Sequence, residues 1–128
     1  MVEYCKRRPS NEAILPDEDS RHIKDTSAYI NDHFAHNLPL EKLAKIACMG
    51  TTKLKSAFRQ YHGCTITEYI QQQRISHAEY LLAHTKLSIG DIVRTIGYRN
   101  ASHFSDLFRE TTGLVPSEYR KYVKSSNL

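Results

Sequence analysis

The sequence predicts an all-α fold of about seven helices, arranged as two helix–turn–helix units joined by a long connecting helix. Three observations predict it. Phe58-Arg59, Gly63 and Glu68-Tyr69 recur as Phe108-Arg109, Gly113 and Glu118-Tyr119, each 50 residues later. Upstream, Leu40-Glu41-Lys42-Leu43-Ala44 reads against Ile89-Gly90-Asp91-Ile92-Val93 at an offset of 49. The second copy therefore carries one extra residue between Tyr98 and His103, where a tight turn between two periodic segments would absorb it. Apolar residues fall at helical spacing along the chain, and no stretch alternates as a strand would.

Taken in order, residues 1–16 hold Lys6-Arg7-Arg8-Pro9 and Pro16 with almost no periodicity, and read as a flexible lead-in or a linker remnant. A first helix is predicted from about Asp17 to Ala35. Asp17, Glu18 and Asp19 put negative charge at its positive end, and Ile23, Ala28, Tyr29-Ile30 and Phe34 form its apolar stripe. The next helix spans Leu40 to about Cys48, with Leu40, Leu43, Ala44 and Ala47 in phase. A turn at Gly50 leads to a helix ending at His62, whose inward face is Leu54, Ala57, Phe58 and Tyr61 and whose C-terminal cap is Gly63.

Thr65 and Glu68 form a capping-box pattern opening a long helix to about His84. The second copy repeats the scheme with Ser88–Ile96, a turn around Gly97–Asn100, and Ala101–Thr112 ended by Gly113. Pro116 suits the first position of a last helix reaching about Val123. The resulting subdomains are 17–74 and 75–128, with the connecting helix at about 65–84.

Bulk properties set limits. The 128 residues suit one compact domain, or two small ones sharing a helix. No apolar run approaches a membrane span, and no secretory leader is visible, so no membrane partner is expected. Cys5, Cys48 and Cys64 are odd in number and without a CxxC pair, which favours a reducing compartment, hence the cytoplasm, over a disulfide framework. Cys48, just before a turn, reads as a small buried residue, and Cys64 as an ordinary thiol rather than a redox sensor. The net charge of +4 is uneven: −2 up to Pro39 and +6 from Leu40 onward. The repeated region is the basic one, as a polyanion partner would require.

In a helix-turn-helix, the second helix enters the major groove and reads base edges with its exposed face. Opposite the apolar faces of the two second helices lie Thr52, Lys53, Lys55, Ser56 and Arg59, and Ser102, His103, Ser105, Asp106 and Arg109. Short hydroxyls and long cations are the types that bond bases and grip phosphates. A connecting helix of about 20 residues is roughly 30 Å long, close to the ~34 Å between successive major-groove faces of B-DNA. Length permits the two units to engage such grooves without fixing their orientation.

At these residues the chain resembles the AraC/XylS-type DNA-binding domain, a homeodomain-like pair of helix-turn-helix subdomains. The matching stretches are Leu40 through Ala44, Leu54 through Arg59, Gly63, Arg74 through Leu82, Leu87 through Ile92, Ile96-Gly97-Tyr98, Ser102 through Ser105, Phe108-Arg109, Gly113 and Pro116 through Arg120. The resemblance covers about residues 20–123. It implies sequence-specific binding of promoter DNA by a bacterial transcription regulator, often an activator.

Carried over by position, the base-reading residues are Thr52, Lys53, Lys55 and Ser56 in the first copy and Ser102, His103, Ser105 and Asp106 in the second. Thr51, Arg59, Arg74, Arg99 and Arg109 are the phosphate candidates, with the amides opening the Thr65 and Pro116 helices. Arg74 equally fits a bond to a carboxylate within the protein. Two departures stand out. Gly50 and Arg99 occupy turn positions where serine is usual, and Asp106 stands where a basic residue is frequent. Asp106 either accepts from cytosine N4 or faces an arginine of its own chain.

The resemblance further implies RNA polymerase as a partner and an effector-binding or dimerising domain upstream. No cofactor or metal is expected: His33 and His36 have no completing ligand at recognisable spacing. Nor is enzymatic activity expected. A methyl-accepting cysteine, as in DNA-repair relatives carrying this domain, would have to be Cys5, which lacks a ligand cluster. A helical protein-interaction module is the alternative, and salt dependence separates the two.

Overall fold

A computed structural model describes residues 15–126. The lead-in expected over 1–16, apart from Leu15 and Pro16, lies outside the described residues, as does Cys5. Seven helices and no strands occur among the described residues: α1 (Asp17–His33), α2 (Leu40–Ile46), α3 (Thr51–His62), α4 (Ile66–His84), α5 (Ile89–Thr95), α6 (Ala101–Thr112) and α7 (Pro116–Ser126). The chain divides into two compact units, the first ending at Gln73 and the second beginning at Arg74, so that the division falls inside α4.

In the first unit, α1 packs on α2 and α3. Ile23, Ile30, Leu43, Leu54 and Phe58 are fully or almost fully removed from water, with Ala47, Ala57 and Cys64 filling the space between them. The expected α1 stripe is corrected in one respect. Ala28 is exposed, whereas Thr26 and Ser27 are buried. Their hydroxyls donate to the carbonyls of His22 and Ile23 at 2.8 and 2.9 Å, one turn back, so each enters the core already satisfied.

Ser27 also anchors α3. Because its proton goes to Ile23, its oxygen accepts from Nε2 of His62, 2.5 Å away. The half-buried His62 ring lies against Phe58 and Tyr69, with centroids 4.5 and 4.7 Å apart. Burial lowers its pKa from 6.5 to about 4. The neutral ring is the form the fold accepts, so His62 contributes fully above pH 6.5 and its contribution is lost as pH falls toward 4. Because the ring is partly screened by water, the expected loss is on the order of 1–2 kcal/mol. Urea unfolding of wild type and His62→Gln at pH 7.5 and 5 checks this: the difference between them should shrink at pH 5, and a constant difference would refute it.

The two copies match in detail. Gly63 and Gly113 end α3 and α6 at φ 77° and 89°, and their N–H groups bond the carbonyls of Arg59 and Arg109 at 2.8 Å each. Phe58 meets Tyr69 edge-on at 5.4 Å and 82°, and Phe108 meets Tyr119 at 5.3 Å and 85°. The turn between the helices is Ala47–Gly50 in the first copy and Ile96–Asn100 in the second, which locates the extra residue. It moves the N-cap of α6 to Asn100, whose side chain accepts from the N–H groups of Ser102 and His103 at 2.8 and 3.1 Å. Arg99 is therefore not the capping residue.

Boundaries differ slightly from expectation: α1 stops at His33, α2 at Ile46 and α5 at Thr95, while α7 runs on to Ser126. Two cysteine readings are corrected. Cys64 is buried and disulfide-bonded, since distance along the chain says nothing of distance in space. Cys48 is exposed, with Ala47 taking the buried position, because the chain reverses there at φ 57°. The corresponding residue of the second copy is Gly97, at φ 95°. A side chain in this conformation is strained. Cys48→Gly is accordingly expected to raise stability by up to about 1 kcal/mol, read as a higher melting temperature; a fall would show that the strain is absent.

In the second unit, Ile75, Ala78 and Leu82 of α4 are buried, as are Ile92, Val93, Ile96, Phe104 and Phe108 of the helices and turn that follow. Arg120 reaches from α7 to the end of α4, donating to the carbonyls of Leu82 and Thr85 at 3.2 and 3.3 Å. Carbonyls at the C-terminal end of a helix lack donors from the helix itself, and a cationic side chain suits them. The only sequence hint of this role was the arginine closing the Pro116–Arg120 run.

Candidate nucleic-acid interface

Burying Leu54, Ala57 and Phe58 turns the opposite side of α3 to water. Thr52, Lys55, Ser56 and Arg59, at positions i, i+3, i+4 and i+7, form that exposed face. They line a cleft of about 810 Å³ together with the apolar Leu38, Leu40, Leu43, Ile66 and Ile70 and the hydroxyl-bearing Thr65 and Thr67. Two cations and no carboxylate line the cleft. Such a surface favours an anion that also presents apolar edges.

In α6 the same spacing recurs as Ser102, Ser105, Asp106 and Arg109, opposite the buried Phe104 and Phe108. Ser102, Asp106 and Arg109 are exposed and Ser105 is half-buried. Asp106 makes no ion pair among the described residues. The second face thus carries one cation and one acid where the first carries two cations.

Lys53 and His103 occupy the equivalent place in the two copies, about 100° around the helix from Thr52 and Ser102. Neither joins the rest of its face without an attachment elsewhere. Lys53 pairs with Asp19 of α1, Nζ to Oδ2 3.4 Å. The His103 ring stands edge-on to Tyr98, centroids 5.9 Å apart. Sequence periodicity put both on the exposed side and gave no sign of these partners.

The phosphate candidates divide similarly. Arg59, Arg99 and Arg109 are exposed, and Thr51 is half-exposed at the start of α3. Arg74 is half-buried with its guanidinium over the Tyr98 ring, 5.0 Å from the centroid. Burial pushes the Tyr98 hydroxyl pKa up, and the charge of Arg74 opposes this. Arg74 is accordingly a packing residue of the second unit in the unbound protein, a third use beside the two the sequence left open.

The helix starts are also partly occupied. Thr65 N–H donates to Glu68 Oε1 at 2.9 Å and Glu68 N–H to Thr65 Oγ1 at 3.1 Å, the expected capping box. At the α7 start, Val115 N–H donates to Glu118 Oε1 at 3.3 Å. His33 bonds the Tyr29 carbonyl through Nδ1 at 2.9 Å and stacks on the Tyr29 ring.

Comparison with known proteins agrees with this arrangement. A helix-turn-helix domain family model matches residues 43–122. The arabinose operon regulatory protein of Salmonella typhimurium is 35% identical over 111 residues, covering 86% of this chain and 39% of that protein. The bifunctional transcriptional activator/DNA repair enzyme AdaA of Bacillus subtilis is 36% identical over 121 residues, covering 94% of this chain and 56% of that protein. This chain therefore spans about two-fifths to just over half of these relatives. Among solved structures, a DNA-binding transcriptional dual regulator from Escherichia coli K-12 superposes with a TM-score of 0.72. It is 26% identical, over 91% of this chain and 99% of that one.

Proposed function

Because the chain belongs to the AraC/XylS-type family of helix-turn-helix DNA-binding domains, we propose that it is the module through which a transcription regulator reads an asymmetric promoter site, one recognition helix to each of two successive major grooves. The observation that carries the reading is the pair of outward faces in register, Thr52-Lys55-Ser56-Arg59 and Ser102-Ser105-Asp106-Arg109, all exposed but the half-buried Ser105. Thr52, Lys55 and Ser56, with Ser102, Ser105 and Asp106, are the base readers. Thr51, Arg59, Arg99 and Arg109 hold phosphates, while Lys53, His103 and Arg74 act from the margins. The two subdomains meet within the connecting helix.

Asp106 is free to accept from cytosine N4. Since Lys55 and Ser56 face one groove where Ser105 and Asp106 face the other, the half-sites should differ in sequence. The domain acts by binding and not by catalysis, and reading a bacterial promoter places it in the cytoplasm, although the Cys64 disulfide removes the cysteine argument for a reducing compartment. The greater length of its relatives supports an effector-binding or dimerising domain in the complete regulator, and RNA polymerase is the proposed protein partner.

Selection of binding sites from random duplexes tests the reading. Two unlike conserved blocks about one helical turn apart are expected. A single block would remove the second unit from recognition. Recovery of no site, or binding indifferent to salt between 50 and 200 mM, would favour the protein-interaction alternative.

A further inference from the structure

The Lys53–Asp19 ion pair joins the first turn of α3 to the first turn of α1 across the first unit. Its members are unequally placed: the Lys53 side chain is 60% exposed and that of Asp19 only 16%. The carboxylate is set into the protein while the ammonium stands where a second anion can reach it. Lys53 is also the one cation of the α3 face that does not line the cleft with Lys55 and Arg59. Two independent observations thus separate Lys53 from its neighbours.

We propose that Asp19 is an internal stand-in for a DNA phosphate: it holds Lys53 in the unbound protein and yields it to the phosphodiester backbone on binding, so that a residue outside the recognition helix sets affinity and salt dependence. This rests on the DNA-binding reading above. The exchange is between like partners, since a carboxylate and a phosphate each offer the ammonium anionic oxygens. Its consequence is specific. A free lysine reaching a phosphate releases about 0.9 of a counterion. A lysine that must first leave Asp19 exposes a carboxylate that recruits a cation, and the two effects nearly cancel. Lys53 therefore adds little net affinity while Asp19 is present, which restrains indiscriminate binding to any duplex.

A double-mutant cycle on the whole chain, measured against the duplex selected above, tests this. Asp19→Asn is expected to tighten binding about 3- to 10-fold near 100 mM salt and to steepen the logarithmic salt slope by about 0.9. Asp17→Asn, the same charge change at an exposed position of the same turn, controls for the general field and should change affinity less than 2-fold, on the order of a surface charge effect. In a Lys53→Met background, Asp19→Asn should gain no more than Asp17→Asn does.

A gain from Asp19→Asn that equals the Asp17→Asn control, or that persists without Lys53, overturns the proposal. Melting temperatures of all variants confirm that each is folded. Should the wild-type chain bind no selected duplex, the DNA-binding reading fails instead, which keeps the two failures apart.

Discussion

Phe58→Ala is expected to cost about 3–5 kcal/mol and to lower the melting temperature of the first unit by on the order of 10–30 °C. Phe58 is 0% exposed at the centre of the first core. Its ring is the common neighbour of His62 at 4.5 Å and Tyr69 at 5.4 Å. Those two in turn reach Ser27 and Asn31 of α1, His62 Nε2 at 2.5 Å and the Tyr69 hydroxyl at 2.9 Å. Removing the ring leaves a cavity and loosens the residues that tie α3 and α4 to α1. Small domains have only about 5–15 kcal/mol of stability in total, so a loss of this size leaves the unit marginal at 37 °C. Thermal unfolding followed by far-UV circular dichroism reads it. Phe58→Leu, which fills most of the space, should lose less than about 1.5 kcal/mol. Equal losses from the two variants would mean that the aromatic cluster is not what carries the effect.

Replacing Lys55 and Arg59 together by alanine is expected to weaken binding to the selected duplex on the order of 100-fold, and to make the salt slope shallower by about 1–2. Both residues stand on the exposed face of α3 and line the cleft beside it. A base contact is worth about 1–3 kcal/mol, and a phosphate contact shows itself in the slope. Alanine is the best helix former, so circular dichroism and melting temperature should hold while binding falls. Fluorescence anisotropy titrations at several salt concentrations measure both quantities. Binding within 2-fold of wild type with an unchanged slope would remove the α3 face from the interface. Lys53→Ala should cost much less than either, because Asp19 already holds that ammonium at 3.4 Å.

The contrast between Lys53 and Lys55 shows how far residue order could be read. Both are exposed lysines on the first half of one helix, and periodicity treated them alike. One lines the cleft and the other turns to α1, because a carboxylate 34 positions away in the chain sits within its reach. Arg74 and His103 repeat the lesson: each is drawn to Tyr98, at 5.0 and 5.9 Å, by a ring that no spacing rule connects to both. The turn taught something different. The extra residue between Tyr98 and His103 was visible as a change of offset, but which side chain would cap α6 depended on how the longer turn closes, and Asn100 rather than Arg99 does so.

By itself the sequence determined the helices, their order, their duplication and the outward faces of α3 and α6, though not the full buried face of α1. Those properties follow from signals within a few residues: apolar spacing, Gly63 and Gly113 as left-handed caps, and Thr65 with Glu68 as a capping box. The AraC/XylS-type membership was legible for the same reason, since order and spacing survive where individual contacts change. The tertiary structure alone decided which charges are available to a ligand. Long side chains span several ångströms, and their direction is set by the neighbours that folding brings to them. Asp19 beside Lys53, Tyr98 beneath Arg74 and Ser27 against His62 are such neighbours, and each lies on a different helix or turn from the residue it holds.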